Sequence, residues 1–525
     1  MGFLRTLPRE KYRAKKILIV NCYFDETRRP VRRTGKMPQA MGPAFLAGAF
    51  AREVCDIRLY NEQYSGPLED RHLLGWPDML VLTGLTTAFD RMLHITAYAR
   101  TMNRKIIVVA GGPAVRMLPL YSRRFFDYPC TGDIEQLSEV IEETLGSMYV
   151  SPVLIPQYDL AYWTGDIGYM ETSRYCNFRC SFCSLTAEGG RYQKYDISCL
   201  QQQLDAVGRK KTLIFIDNNF YGNDRQFFLD RLDLIREKYC SGQIGGWGAL
   251  VTNDFFRNSA NLRLAKDAGC IALFSGIESF DTEWLRSVNK RQNTSLPQTE
   301  MIRACLEAGI SFHYGLMFDL TTRTSRELGR ELEFILQSPD ITLPSYLSVT
   351  IPMLGTPYFH ECLEKGLLLP DLRIRDLDGT TISLRPAEPL EQAARFVRGI
   401  QHMKGYRVGI LGHAKEFFRR YRKTLGRRQM LLSLGNNALI SVPGLMSRSI
   451  GVCGMTVQRR RRTHIGTTER PDRLYRPAYR VDACYETYFR PTALTNQFGH
   501  LAREVRDDLM LQPEDIYSAR KMAIH

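Results

Sequence analysis

Three cysteines lie close together in the chain, at Cys176, Cys180 and Cys183, with the spacing C-x3-C-x2-C. Three thiolates can hold three corners of a cubane [4Fe–4S] cluster and leave one iron open, whereas an electron-transfer cluster normally takes four. The alternative is a zinc site, but zinc binds four ligands, usually as two separated pairs, and no fourth cysteine lies nearby. The spacing therefore predicts an iron–sulfur cluster whose open iron binds a reactant.

The segment before these cysteines alternates between short strands and helices. At 525 residues, with 44% hydrophobic and 24% charged residues, the chain is expected to form two or three globular domains. Asp78–Gly84 and Lys105–Gly111 are continuous apolar runs, typical of strands buried on both faces of a parallel sheet. With strands at Lys16–Asn21 and Cys55–Tyr60 and a helix at Gly42–Arg52, they predict a doubly wound, Rossmann-like α/β domain over residues 1–150.

The same alternation of strand and helix patterns resumes after a proline-rich connector. Strand patterns are found at Gly168–Ser173, Thr212–Asp217, Gly246–Thr252, Ala272–Gly276, Ser311–Met317 and Tyr346–Ile351. They predict a second α/β domain over residues 151–384, with its functional groups on loops at the carboxyl ends of the strands. Residues 385–525 are expected to form a mainly helical extension that is rich in Arg and Tyr.

The cysteine loop, with Phe182 directly before its last cysteine, closely resembles that of the radical S-adenosylmethionine (SAM) enzymes. This resemblance implies a partial (β/α)6 barrel in which SAM chelates the open iron and is cleaved to a 5′-deoxyadenosyl radical. It also implies that Phe182 shields the cluster or packs near the adenine.

Further motifs extend the resemblance. Asp217-Asn218-Asn219-Phe220 resembles the D-[DN]-N-F run whose acceptors meet the SAM ammonium group, and Gly276-Ile277-Glu278-Ser279 resembles the G-I-E-S motif whose Glu binds the SAM ribose. One departure is that Phe318-Asp319-Leu320-Thr321 stands where the family has G-x-P-G-E. The resemblance implies SAM contacts from Asp217, Asn218, Asn219, Gly276, Glu278 and Ser279.

The first domain resembles the cobalamin-binding domain that precedes this core in B12-dependent members. The resemblance implies that the corrin and its nucleotide tail are lined by Thr83, Gly84, Thr86, Gly111, Gly112, Pro113 and Gly132. Asp70 to Gly75 also spell D-x-H-x-x-G, the loop that supplies an axial His to cobalt, but His72 lies between the second and third strands instead of after the first. We therefore expect that His72 does not bind cobalt.

The leading hypothesis is a cobalamin-dependent radical SAM methyltransferase that acts on an unactivated carbon or phosphorus centre, with no residue yet identified as catalytic. Radical rearrangement or oxidative cyclisation is the first alternative. Methylthiotransfer to RNA is the second, because Cys22, Cys55 and Cys130 could imitate the additional cluster of those enzymes. A non-catalytic iron–sulfur regulator that binds SAM is the third.

The net charge of +15 is partly concentrated in two late basic clusters, one between Arg419 and Arg428 and one at Arg459–Arg462. No RNA-binding signature accompanies them, so nucleic acid is disfavoured as a partner. We expect a small-molecule substrate, with a lipophilic one among the options, and an electron donor such as flavodoxin or ferredoxin. Because there is no long apolar stretch, a cytoplasmic location is expected, with contact to a membrane surface left open through the apolar segment Gln429–Met455. The aromatic segment Tyr475–Tyr488 is a candidate cover for the barrel mouth.

Overall fold

The computed structural model describes residues 13–23, 40–370, 372–379, 381–402, 407–435 and 475–495, with Val505, Asp508 and Leu509. The second basic cluster, Arg459–Arg462, and most of the apolar segment Gln429–Met455 lie outside the described residues. None of the described helices is long and apolar enough to cross a lipid bilayer.

The first sheet has five parallel strands in the order β2-β1-β3-β4-β5. The strands are β1 (Lys15–Asn21), β2 (Cys55–Asn61), β3 (Met79–Thr83), β4 (Ile107–Ala110) and β5 (Tyr128–Pro129). The helices between and after them are α1 (Gly42–Ala47), α2 (Glu62–Ser65), α3 (Arg71–Gly75), α4 (Phe89–Met102), α5 (Pro113–Met117), α6 (Pro119–Ser122) and α7 (Ile134–Thr144). Strand order reverses between β1 and β3, so the crevice of the doubly wound fold opens at the carboxyl ends of these strands.

Two details of this sheet differ from expectation. The helix predicted over Gly42–Arg52 ends at Ala47, and Gly48 directly after it packs so closely on Ile155 that a Cβ would lie 2.5 Å from the Ile155 carbonyl oxygen. The strand β5 was not predicted, since only Tyr128 and Pro129 pair with β4 and so short a segment has no readable pattern.

The second sheet has six parallel strands in the order β13-β12-β11-β10-β9-β6, as in a partial barrel. Its strands are β6 (Ile167–Met170), β9 (Thr212–Phe215), β10 (Trp247–Leu250), β11 (Cys270–Glu278), β12 (Ser311–Phe318) and β13 (Tyr346–Val349). Two short strands, β7 (Ser173–Arg174) and β8 (Gln193–Lys194), form a separate antiparallel pair. The helices are α8 (Ser184–Glu188), α9 (Ile197–Val207), α10 (Arg225–Cys240), α11 (Ala260–Asp267), α12 (Thr282–Ser287), α13 (Gln298–Glu307), α14 (Ser325–Leu336) and α15 (Pro357–Glu364).

A helical region follows, with α16 (Leu390–His402), α17 (Arg407–Tyr421) and a further helix over residues 427–435. In this last helix Arg428 donates hydrogen bonds to the carbonyl oxygens of Gly245 (2.8 Å) and Lys211 (2.9 Å), just before β10 and β9 begin. The Ser433 hydroxyl lies 2.8 Å from that of Ser311 at the start of β12. The helix therefore covers the amino-terminal end of the barrel, and Arg428 of the first basic cluster serves this contact.

The aromatic segment Tyr475–Tyr488 does not cover the barrel mouth. It packs instead on α4 of the first sheet, where the ring of Tyr479 lies 4.7 Å from that of Tyr98 and the ring of Tyr475 lies 5.4 Å from that of His94. Just beyond this segment, Phe489 stacks on His94 at 4.7 Å. The expectation was wrong because the segment instead covers aromatic side chains of α4, an element that is distant from it in sequence.

The same contact buries a carboxyl group. Asp90 of α4 is fully buried and accepts hydrogen bonds from the Thr492 amide (3.2 Å) and the Tyr475 hydroxyl (3.3 Å). Burial raises its pKa from 3.8 to about 6, although these hydrogen bonds act in the opposite direction.

We predict that Asp90→Asn gains thermal stability relative to the parent chain as pH rises. The pKa of Asp90 is higher in the folded chain than in the unfolded chain, so the protonated carboxyl stabilises the folded parent fully below about pH 4. This contribution is lost as pH rises through about 6 and the buried carboxyl ionises. The melting temperature of the variant minus that of the parent should be higher at pH 8 than at pH 5, by about 2 °C or more. A difference that stays constant across this range would contradict the prediction.

Candidate active site

The cysteine loop connects β7 to α8 at the carboxyl edge of the second sheet, and its neighbours hold it by hydrogen bonds. Asn219, which follows β9, donates to the Asn177 side chain at 2.8 Å. On the other side, the Asn289 amide donates to the Arg179 carbonyl at 2.7 Å. Asn219 follows a strand and Asn289 follows the helix α12, so the loop is held from two sides at this edge of the sheet.

The three thiols of the loop have different surroundings. Cys180 is buried and accepts a hydrogen bond from Gln292 at 3.4 Å, whereas Cys176 and Cys183 are half-buried. Burial raises the pKa of the Cys176 thiol, and raises that of Cys183 to about 11, while the nearby Lys290 ammonium acts in the opposite direction. In the described part of the chain, no group of three or more His, Cys, Asp or Glu side chains is placed to hold a single metal ion.

A buried ion pair lies beside the loop. The Lys290 ammonium is 2.9 Å from the Glu278 carboxylate, and each side chain is about 10% exposed. Glu278 ends β11 with a φ of +62°, a conformation that turns its side chain toward Lys290 and is rare outside glycine. Lys290 also lies 5.6 Å from the ring centroid of Phe182, which stacks on Trp284 at 6.4 Å. Glu278 and Phe182 are therefore both in contact with Lys290 beside the cysteine loop, and the roles that the resemblance implies for them stay predictions.

The three implied SAM residues after β9 have different surroundings: one is buried in a hydrogen-bonded cluster, one is exposed and one contacts the cysteine loop. Asp217 is fully buried and accepts hydrogen bonds from Thr172 and Ser173, with Arg231 at 3.8 Å. Its carboxylate therefore holds the segment that follows β6, and the SAM contact implied for Asp217 stays a prediction. Asn218 is exposed and Asn219 contacts the cysteine loop, so these two retain the implied position.

The remaining implied SAM residues surround Glu278. A Cβ at Gly276 would lie 2.4 Å from the Glu278 carboxylate, so only glycine leaves room for that side chain. Ser279 is buried, and its hydroxyl donates to Glu331 at 2.7 Å, so it supports the turn instead of facing the cysteines.

Sequence reasoning missed a polar pair after β10. Asn253 is fully buried, and neither its amide nitrogen nor its amide oxygen has a hydrogen-bond partner within the described residues. The Asn219 amide oxygen is likewise buried without one. The next residue, Asp254, is close enough to Cys176 for its charge to raise the pKa of that thiol. Buried polar groups without partners are rare in native proteins, so Asn253 and Asn219 fit a polar ligand beside the cysteines. The available signal was the position of Asn253 directly after a barrel strand.

A cavity of about 530 Å³ lies between the two sheets, beyond the carboxyl ends of their strands. The first sheet contributes Thr83, Gly111, Gly112 and Gly132, and the second contributes Glu171, Tyr175 and Asn218. Four of the residues implied for the corrin thus line this cavity. Thr86 and Pro113 line a small adjacent gap with Ser184, which follows the last cysteine.

The glycines at this edge have different roles. Gly112 has a φ of +112°, and a Cβ there would lie 2.6 Å from the carbonyl oxygen of Gly84. A Cβ on Gly84 would in turn lie 2.8 Å from the Cys22 carbonyl oxygen, so both glycines are required for close packing of neighbouring strand ends. Gly111 differs, because the nearest atom to its Cβ position is 3.8 Å away, in Cys130. Of these three glycines, Gly111 therefore leaves the most open space to a ligand.

Ion pairs in the cavity wall join the two sheets. Arg116 of α5 contacts Asp133 at 2.7 Å and Glu188 of α8 at 2.8 Å. Arg174 of β7 contacts Glu135 of α7 at 2.8 Å. These residues were not predicted, because their pairing is between elements that are distant in sequence.

Two sequence matches in the first domain have structural explanations. His72 is exposed in α3, where Asp70 caps the helix by accepting hydrogen bonds from the His72 and Leu73 amides, so D-x-H-x-x-G is here the start of a helix.

The cysteines of the first domain are far apart. Cys55 begins β2 beside Lys15, whereas Cys22 follows the opposite end of β1. At about 3.3 Å per residue these two thiols are roughly 20 Å apart and cannot share a cluster.

Comparison with known proteins agrees with this site. Residues 170–335 match the family model described as the Radical SAM superfamily. Residues 170–335 of the chain are therefore a radical SAM domain. It is 26% identical over 352 residues to the hopanoid C-2 methylase of Rhodopseudomonas palustris (strain TIE-1), a match that covers 62% of this chain and 64% of that methylase. The match thus spans less than two thirds of the relative's length.

Solved structures show the same fold. OxsB, a cobalamin-dependent SAM radical enzyme solved with aqua-cobalamin and SAM, matches with a TM-score of 0.54 and 14% identity over 98% of this chain and 81% of OxsB. TsrM from Kitasatospora setae, a radical SAM methyltransferase solved with cobalamin and a [4Fe–4S] cluster, matches with a TM-score of 0.51 and 16% identity over 77% of this chain and 91% of TsrM. The predicted fold class is confirmed.

We predict that Lys290→Met lowers the midpoint potential of the cluster on this radical SAM domain. The substitution removes a buried cation beside the thiols and leaves Glu278 unpaired, and both changes disfavour an added electron. A decrease on the order of 50 mV is expected in a redox titration followed by electron paramagnetic resonance. Lys290→Arg, which keeps the charge, should remain close to the parent, and an unchanged potential in Lys290→Met would contradict the prediction.

Proposed function

We propose that this chain is a cobalamin-dependent radical SAM methyltransferase. The observation that carries the proposal is the cavity between the two sheets, which joins the glycine-rich strand ends of the first to the edge that holds the cysteine loop. A corrin at the first sheet and a cluster on the loop would both face this space. Methylation is favoured over rearrangement or cyclisation because the relatives matched by sequence are named as methylases or methyltransferases.

The residues suit three ligands. Cys176, Cys180 and Cys183 would hold a [4Fe–4S] cluster with one open iron, and Asn219, Asn253 and Glu278 offer polar groups to SAM beside it. Thr83, Gly111 and Gly132 would line the corrin and its nucleotide tail. When bound, these groups supply a 5′-deoxyadenosyl radical and a transferable methyl group.

The protein's own contribution is orientation and protection. Lys290 holds Glu278 at the cluster edge, and its charge favours the thiolate form of the cysteines. Phe182 and Trp284 cover this edge with stacked rings, which helps to exclude water. The helix over residues 427–435 covers the opposite end of the barrel.

Two further aspects belong to the proposal. Cluster reduction requires an electron donor, for which flavodoxin or ferredoxin is suited, and a cytoplasmic location would provide both. Methylthiotransfer to RNA is disfavoured because Cys22 and Cys55 lie at opposite ends of the first sheet.

We predict that the protein isolated without oxygen carries about four irons per chain in one [4Fe–4S] cluster. The reduced cluster should give an electron paramagnetic resonance signal that changes when SAM is added. Both should be lost when Cys176, Cys180 and Cys183 are replaced together by Ala. Roughly eight irons would instead indicate a second cluster and support methylthiotransfer.

We further predict that the reconstituted protein retains about one equivalent of hydroxocobalamin through gel filtration, as expected for a deep preformed site. Gly111→Trp should abolish retention, because its side chain would enter the open cavity. Gly112→Trp is a poorer test, since it would collide with the Gly84 backbone and disturb the fold.

His72→Ala is the matched control for this experiment and should leave retention and the visible spectrum of the bound corrin unchanged. A parent chain that retains no corrin would remove cobalamin from the proposal while leaving the radical SAM domain in place. If corrin binds, production of S-adenosylhomocysteine together with 5′-deoxyadenosine would support methylation, whereas deoxyadenosine alone would support rearrangement or cyclisation.

A further inference from the structure

One face of the second sheet carries an aromatic pair that the cofactors do not explain. The ring of Tyr346, the first residue of β13, stacks on that of Phe274 in β11 with centroids 5.8 Å apart and planes inclined by 10°. The strand β12 lies between them. Tyr346 therefore extends across a whole strand to reach its partner.

Gly315 makes this geometry accessible. It pairs with Tyr346 in the register of β12 and β13, and a Cβ at this position would lie 2.3 Å from the Tyr346 ring. A side chain here would lift the ring away from Phe274. Glycine thus lets the Tyr346 ring lie flat against the sheet, and we call Phe274, Gly315 and Tyr346 the aromatic platform.

The platform is on the lumen side of the barrel. The neighbouring residues of β11 and β12 that point the other way, Leu273 and Tyr314, are fully buried, as expected for the face covered by helices. Tyr346, in contrast, is 47% exposed. An exposed tyrosine stacked in a lumen leaves one ring face free for another molecule.

The platform is close to the cluster edge. The Tyr346 hydroxyl is close enough to the ion pair for the Glu278 charge to raise its pKa and the Lys290 charge to lower it. Met317, two residues beyond Gly315, packs with Phe182 against Trp284 and Leu285. A molecule on the platform would thus lie beside the residues assigned to the cluster and SAM.

The lumen around the platform suits an uncharged molecule. Leu250 of β10 is in register with Phe274, and Ala272 and Gly276 flank Phe274 along β11. The polar His313 is hydrogen bonded to Ser311 at 3.0 Å and Ser345 at 3.2 Å. Among the lumen-facing residues of β9 to β13, all of them described, Glu278 is the charged one and it is paired with Lys290. A charged group placed here would lose its hydration without gaining a partner.

We propose that the aromatic platform binds the substrate, and that this substrate is uncharged with a flat hydrocarbon ring face. The proposal deepens the proposed function, because it assigns a substrate class and a specificity-determining residue to the same site. Tyr346 orients the substrate by stacking and does not take part in the chemistry. The position of the platform would present the edge of the ring system to the cluster side of the lumen.

Equilibrium dialysis tests the proposal on the cluster-reconstituted protein with SAM present, using naphthalene and naphthalene-1,5-disulfonate as probes of equal ring shape. The parent chain should bind naphthalene and exclude the disulfonate. Tyr346→Ala should weaken naphthalene binding by about tenfold, the loss expected from one stacked ring. Tyr346→Phe should restore the parent affinity, because it keeps the ring.

Gly315→Val provides a second variant that leaves Tyr346 intact but displaces its ring, and it should weaken naphthalene binding similarly. Phe334→Ala, which removes an exposed ring on α14 at the outer surface, should have no effect. Circular dichroism and the cluster spectrum show that each variant is folded.

Failure of the parent to bind naphthalene, equal binding by Tyr346→Ala and Gly315→Val, or binding of the disulfonate would overturn the proposal. These outcomes are distinct from failure of the proposed function, which the iron content and corrin retention measure independently.

Discussion

The contact between Arg116 and Glu188 holds the region of the cysteine loop against the first sheet. Glu188 belongs to α8, the helix that directly follows the last cysteine of the loop, while Arg116 belongs to α5 of the first sheet. Asp133 completes the arrangement by contacting the same guanidinium group. Removal of one partner from a buried pair of this kind typically costs about 3–5 kcal/mol, because a charge is left without compensation. The cysteine loop is thus held against the glycine-rich edge of the first sheet.

Parallel sheets explain why so much of the architecture could be predicted from the sequence. The segments Asp78–Gly84 and Lys105–Gly111 are apolar on both faces, and this requirement of a buried parallel strand is local and therefore readable. The cysteine spacing is equally local. The pair Arg116 and Glu188 is not, since each residue is an ordinary surface type in sequence and only the docking of α5 on α8 brings them together.

Asp217 and Asn253 show the same limit within the site. The motif at Asp217 predicted its position after β9, but the direction of its carboxylate depends on Thr172 and Arg231, which lie on other elements. Asn253 carries no motif, and its importance follows from a fully buried amide that has no hydrogen-bond partner in the described part of the chain. Sequence patterns thus located the edge of the site, whereas side-chain direction had to come from packing.

Three parts of the site, namely the cavity between the sheets, the cysteine loop and the barrel lumen, differ in the charges that surround them. In the cavity between the sheets, Arg116 and Arg174 are paired with carboxylates, so a large polar ligand would meet both charged and hydrogen-bonding groups. At the cysteine loop, Lys290 provides a cation beside the thiols. In the lumen, the side chains around Tyr346 are mostly apolar, and electrostatic interactions are least screened there. A ligand held at the cysteine loop would therefore have a mostly apolar surface on one side and a polar cavity on the other.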